Sequence, residues 1–159
     1  MCGIAGFLLS NNLFEEGYQV EVLKRMTKAL KHRGPDDSGY WIDPINKIAL
    51  GHRRLSVIDL TESGHQPMIS HSGKYVLAFN GEIYNHLRLR NELNNYSTKP
   101  PWRGTSDTET LLACFERWGV ESSLKRCEGM FSFALWCKGT NTLVLGRDRL
   151  GEKPLYYGW

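Results

Sequence analysis

Apolar positions along this chain alternate between two spacings, and the changes of spacing mark its elements. From Cys2 to Leu9 the run Cys-Gly-Ile-Ala-Gly-Phe-Leu-Leu is short, continuous and glycine-spaced, which predicts a buried strand that other backbone approaches closely. After a polar turn, Val22, Leu23, Met26, Ala29 and Leu30 recur at helical intervals, with Glu21, Lys24, Arg25 and Lys28 opposite. This pattern predicts an amphipathic helix covering a sheet. It ends at His32-Arg-Gly-Pro-Asp-Asp-Ser-Gly39, where Gly34-Pro35 blocks continuation and the acids and serine favour a loop. Strands are predicted over Tyr40 to Asp43 and Lys47 to Gly51, joined by the turn Asp43-Pro-Ile-Asn46. An extended apolar run follows the arginines of His52-Arg-Arg-Leu-Ser-Val-Ile-Asp59. Thr61 to Met68 reads as a loop, Ser70 to Lys74 as a hairpin turn, and Tyr75 to Phe79 as the next strand.

That strand runs into Asn80-Gly81, a strong hairpin signal, yet no matching strand follows it. Instead Asn85 is placed to cap a helix in which Leu89 and Leu93 share a face. Beyond the loop Lys99 to Gly104, Ser106 and Glu109 have capping-box spacing, and Leu111, Phe115 and Trp118 continue as a helix that Gly119 ends. A shorter helix is predicted from Glu121 to Arg126, then a hairpin of Met130 to Cys137 and Thr142 to Gly146 around Lys138 to Asn141. The close, Gly146 to Gly158, misses a GxxxxGK phosphate loop because Glu152 stands at the lysine position. Pro154 and the tyrosines after it predict a strand where that motif needs a helix, so nucleotide binding is set aside. The charged run reads as a salt-bridged turn.

Composition narrows the classes. A chain of 159 residues suits one domain with its own core, and 41% hydrophobic content is ordinary for a globular protein. No apolar run has membrane-spanning length, and Ile4 to Leu9 lacks the flanks of a signal peptide, so a cytoplasmic protein is expected. The net charge of +3 comes from bases scattered among acids, which gives no nucleic-acid or membrane footprint. Cys2, Cys114, Cys127 and Cys137 show no metal or redox spacing; Cys114 and Cys137 lie in apolar stretches and are expected to be reduced core residues.

Three features carry candidate chemistry. Removal of Met1 would leave Cys2 with a thiol and a free α-amine on one carbon, and with pKa values near ~8.5 and ~8 the amine can take the thiol proton. The plainer reading is that Cys2 only opens a buried strand. Asn80 and Gly81 join an amide side chain to an approachable backbone N–H, two donors of the kind that hold an oxyanion. Arg54 is either a solvated strand-end charge or a forked partner for a carboxylate. Asp107 falls in a first helical turn, where exposed N–H groups favour an acid whether or not it has another role.

Taken together, Met1-Cys-Gly-Ile-Ala-Gly6, His32-Arg-Gly-Pro-Asp36, Arg54-Leu-Ser56, Asn80-Gly-Glu-Ile-Tyr-Asn85, Ser106-Asp-Thr-Glu109 and Arg147-Asp-Arg-Leu-Gly-Glu-Lys-Pro-Leu-Tyr-Tyr157 resemble the glutaminase domain of glutamine-hydrolysing asparagine synthetases. These are class II glutamine amidotransferases of the N-terminal-nucleophile hydrolase superfamily. The resemblance spans the chain, with 1–159 as one glutaminase domain. It implies an α+β fold, a four-layer αββα sandwich of two antiparallel sheets flanked by helices.

It also implies that Cys2 attacks L-glutamine to form a thioester, with Asn80 and Gly81 as the oxyanion hole. Arg54 would bind the substrate carboxylate and Asp107 its ammonium, while Leu55, Ser56, Val57, Ile58 and Glu82 complete the pocket and Arg33, with His32, forms part of its wall. No cofactor is expected in this domain; ATP and Mg belong to a synthetase domain, recognised by an SGGxDS phosphate loop that does not occur in this sequence. The implied partner is a synthetase domain or subunit that consumes ammonia, and a homodimer is compatible. Arg53, where many relatives carry an acid, and Gly146, where a larger residue is usual, depart from the pattern. Two rival readings stand beside this one: a non-catalytic glutamine-sensing or regulatory module, and a Cys/His thiol hydrolase with His32, His52 or His65 as base.

Overall fold

A computed structural model describes residues 1–10 and 16–159; the polar turn expected after the first strand falls largely outside them. In chain order the described elements are β1 (Gly3–Leu8), α1 (Glu16–Ala29), β2 (Asp37–Asp43), β3 (Ile48–Arg54), β4 (Met68–Ile69), β5 (Tyr75–Ile83), α2 (His86–Asn94), α3 (Asp107–Trp118), α4 (Val120–Arg126), β6 (Gly129–Cys137) and β7 (Thr142–Arg147). The strands form two antiparallel sheets, ordered β1-β3-β2 and β4-β5-β6-β7. No described helix is long and apolar enough to cross a membrane.

The layers follow from which face of each strand is apolar. Helix α1 lies on the first sheet, where Gly51 of β3 leaves room for Leu23 and Thr27; a Cβ at 51 would overlap the Thr27 hydroxyl. The opposite face of β3 sends Ile48 and Leu50 against Val76, Ala134 and Trp136, which makes the core between the sheets. Alternate residues of the second sheet, Leu77, Phe79, Phe131, Phe133 and Leu135, pack with Leu89 and Leu93 of α2 and Leu111 and Phe115 of α3 in a second core. This is the α+β sandwich with helices outside two sheets. Period-two alternation in the central strands thus feeds both cores at once.

Several boundaries differ from the sequence pattern. Strand β2 starts at Asp37, three residues early, because its pairing with β3 continues to Arg54. The two-residue β4 occurs at the end of the predicted loop. Asn80-Gly81 makes no hairpin: β5 runs through it to Ile83, paired with β6 from Tyr75↔Cys137 to Ile83↔Gly129. Glycine is needed at 81 because β6 passes so close that a Cβ would overlap the Met130 carbonyl and Phe131 Cα.

Two caps also differ. Asn85 sits before α2 without capping it by its side chain; its amide donates to Arg126 O (2.9 Å) and accepts from Glu128 N (3.1 Å). Ser106 accepts from Glu109 N, but Glu109 reaches back past it to the N–H groups of Arg103 (2.7 Å) and Gly104 (3.1 Å), so only half a capping box forms. Residues 154–159 form no strand. The turn before them is organised by Asp148, whose carboxylate accepts from the N–H groups of Phe131 (3.2 Å), Glu152 (2.9 Å) and Lys153 (3.0 Å), in place of the expected ion pairs.

Candidate active site

The site forms on the open edge of β5. Phe131 N–H and C=O both turn toward Asp148, away from β5. Its partner Gly81 therefore belongs to a non-hydrogen-bonded pair, and the N–H groups of Phe79, Gly81 and Ile83 all point away from β6. Strand β4 pairs only as far as Leu77, so past it this edge has no backbone partner in the sheet. Side chains take its place at both ends: Phe79 N–H donates to Gln66 Oε1 (2.7 Å) and Ile83 N–H to Asp107 Oδ2 (2.9 Å). Between them the Gly81 N–H is left facing a cavity of about 260 Å³, a size for a small metabolite.

Cys2, just before β1, enters the same cavity from the other sheet. Its Sγ rests on the backbone of a single residue, accepting from Leu55 N (3.5 Å) and donating to Leu55 O (3.7 Å). Burial pushes the Cys2 thiol up, and the Leu55 N–H, the chain's α-ammonium and Arg54 only partly offset that. Arg33 Nε donates to the Cys2 carbonyl (3.0 Å) and fixes the backbone that presents the thiol. Lys153, buried, donates to the Met1 thioether (3.2 Å), and both line the cavity.

The loop after β3 forms a wall. Arg54 is buried and spends two donors on the loop, Nη1 on Thr61 O (2.9 Å) and Nη2 on Asp59 O. Asp59 in turn accepts from Thr61 and from Thr105 N (2.9 Å), which ties the loop to the start of α3. Burial works against the Asp59 carboxylate, but these hydrogen bonds hold it at about 2. Asp107, the first residue of α3, uses one oxygen on Ile83 N and the other on Thr108 N (2.8 Å), and burial pushes its carboxyl up. A carboxylate offers about four acceptor positions, so capacity remains toward the cavity.

Cys2, Arg54, Leu55, Val57, Ile58, Asn80, Gly81, Glu82 and Asp107 all line this cavity. Asn80 is buried, and its amide makes a long contact with Ser132 Oγ (3.5 Å). Ser56 and Arg33 stand outside the lining: Ser56 N is tied to Asp36 Oδ2 (2.8 Å), and Arg33 lies on a separate groove behind Cys2. The three histidines are elsewhere. His52 is fully buried between the sheets with Nε2 donating to Phe79 O (2.9 Å), and burial lowers it to about 4. His65 pairs with Asp37 (2.7 Å), and His32 is an exposed residue against Ala29 O. None of them lines the cavity. Among the described residues no cluster of His, Cys, Asp and Glu is arranged to hold a metal ion.

Gln66, Thr108, Asp59 and Lys153 also line the cavity and were not expected there. The sequence places Gln66 only in a loop before proline, and nothing local to it marks a partnership with Phe79.

A glutamine amidotransferase domain model matches residues 1–159. Asparagine synthetase [glutamine-hydrolyzing] 1 of Bacillus subtilis is 41% identical over 157 residues, 99% of this chain and 24% of that protein. A putative asparagine synthetase [glutamine-hydrolyzing] 2 of Methanocaldococcus jannaschii is 37% identical over 175 residues, covering 100% of this chain and 32% of that protein. Amidase chry2 of Gibberella zeae is 36% identical over 164 residues, 99% of this chain and 24% of that protein. The chain thus spans a third or less of the length of these curated relatives. Cys2, Asn80 and Gly81 line one cavity and the match runs along the whole chain, and the chain belongs to the glutamine amidotransferase domain family.

Proposed function

We propose that this chain hydrolyses L-glutamine to glutamate and ammonia through a thioester on Cys2. The observation that carries this reading is that Cys2 and the unpaired Gly81 N–H, which come from different sheets, line one cavity together with Arg54 and Asp107. After excision of Met1 the α-amine of Cys2 takes the thiol proton, and Sγ attacks the side-chain amide carbon of glutamine. The carbonyl oxygen becomes an oxyanion that accepts from Gly81 N–H and the Asn80 amide. The C–N bond breaks as the leaving nitrogen takes the proton from the α-ammonium, releasing ammonia. Water, deprotonated by the same amine, then cleaves the thioester and frees glutamate and Cys2.

Arg54 and Asp107 orient the substrate, because the far end of glutamine is a zwitterion and one opposite charge per group fixes its direction. The loop backbone of Leu55, Val57 and Ile58 and the Glu82 side chain close around it. Ammonia passes to a synthetase domain or subunit that amidates a carboxylate, in keeping with the names of the longer relatives. ATP and Mg serve that second half-reaction.

The test is intact-mass analysis with a glutaminase assay. Loss of Met1, a single adduct on Cys2 from a glutamine-analogue diazoketone, and glutamate formation are expected. A chain that keeps Met1 and forms no glutamate is a glutamine-sensing module, a reading that the position of Met1 in the cavity lining favours for the unprocessed chain.

A further inference from the structure

We infer that Gln66 is a positioning residue for the oxyanion donors, an inference that rests on the glutaminase reading above. Gln66 is buried, and its amide is used at both ends: Oε1 accepts the Phe79 N–H (2.7 Å) and Nε2 donates to Thr108 Oγ1 (3.4 Å). Thr108 N–H donates to Asp107 Oδ1 (2.8 Å), and Asp107 Oδ2 accepts Ile83 N–H (2.9 Å). One chain of hydrogen bonds therefore begins two residues before Gly81 and ends two residues after it on the same strand edge. It passes through the first turn of α3 on the way.

The function of this strut follows from sheet geometry. Strand β4 leaves β5 at Leu77, so the Phe79 N–H would otherwise be an unmatched buried donor, and the strand would rotate to satisfy it. Gly81 N–H and the Asn80 Cα move with that rotation. Oxyanion donors act only when aimed at the position the oxygen will occupy, and displacements of ~1 Å can cost ~100-fold in rate. Gln66 thus holds the direction of Gly81 N–H and couples it to the helix end that carries Asp107, without touching the reacting atoms.

The experiment compares glutamine hydrolysis by the wild-type chain, Gln66→Met and Gln66→Glu, with amide hydrogen exchange of the 75–83 segment as a second readout. Gln66→Met keeps the length and loses both hydrogen bonds; Gln66→Glu keeps an oxygen for Phe79 N–H in either protonation state. Expected for Gln66→Met are a kcat lower by ~10- to 100-fold, a KM within ~3-fold of wild type and faster exchange at Phe79. Gln66→Glu should recover most of the rate and the protection. Unchanged kcat in Gln66→Met, or a loss confined to KM, overturns the inference, the latter because it marks a substrate contact. A Glu variant no better than Met overturns it too. If Gln66→Met does not fold, Thr108→Val removes the far end of the strut: kcat lower by ~3- to 10-fold and restored by Thr108→Ser is expected, and unchanged kcat overturns the inference. An inactive wild-type chain would instead sink the glutaminase reading itself.

Discussion

Asp107 Oδ2 accepts the Ile83 N–H at 2.9 Å, so the carboxylate proposed to hold the substrate ammonium also pins the strand that carries Asn80 and Gly81. The two roles separate by substitution. Asp107→Asn keeps one oxygen for the Ile83 N–H, gives up the Thr108 N–H contact and removes the charge, so KM for glutamine should rise ~10- to 100-fold, the scale of one charged hydrogen bond. Asp107→Ala also strands the Ile83 N–H and should lower stability by ~1–3 kcal/mol. Steady-state kinetics and urea unfolding of the two variants measure this; equal KM for Asp107→Asn and wild type would remove the ammonium assignment.

Asn80 has only the long contact to Ser132 to lose, so its replacement costs the fold little. Asn80→Ala should retain its melting temperature and lower kcat by ~100-fold or more. Normal turnover in that variant would refute an oxyanion role.

The four thiols should divide sharply. Cys2→Ala and Cys2→Ser are expected to lose glutamine hydrolysis, whereas Cys114→Ser and Cys137→Ser keep it when folded. Cys114 and Cys127 are buried in the helix-side core, where burial pushes the first thiol far up and the second to about 11. Peptide mapping after labelling with a glutamine-analogue electrophile should find the adduct on Cys2; labelling of Cys114 or Cys127 first would count against the site.

His52 makes stability depend on pH. Burial lowers its folded value to about 4, against an ordinary 6.5, so between these values the unfolded chain binds a proton that the folded chain does not. Stability from this source is complete above pH ~6.5 and falls by ~1.4 kcal/mol per pH unit below it, until pH ~4. Urea unfolding at pH 7.5 and 5 should show this slope in the wild type and not in His52→Gln. If the slope survives the substitution, another group carries it.

Most of the element order and the chemistry on offer are legible in the amino-acid sequence; β4 is not, and the strand expected from Pro154 on does not form. Helical spacing marked α1 and α3, short apolar runs bounded by turn residues marked β5 and β6, and the residue types Cys2, Asn80, Gly81, Arg54 and Asp107 named a nucleophile, two donors and two opposite charges. These signals are legible because they depend on neighbours in the chain or on a side chain's own functional groups.

What those groups do to one another follows from long-range packing. Asn80-Gly81 looked like a turn because the local propensity of the pair is strong; the approach of β6, fifty residues later in the chain, makes it a strand with a glycine where no Cβ fits. Glu109, Asn85 and Asp148 spend their polar atoms on partners that the local motif did not name. Gln66 had no local signal, because its meaning lies in an N–H left bare where β4 ends. Which backbone donors remain free at a sheet edge is a property of strand register, and register is set by packing across the whole fold.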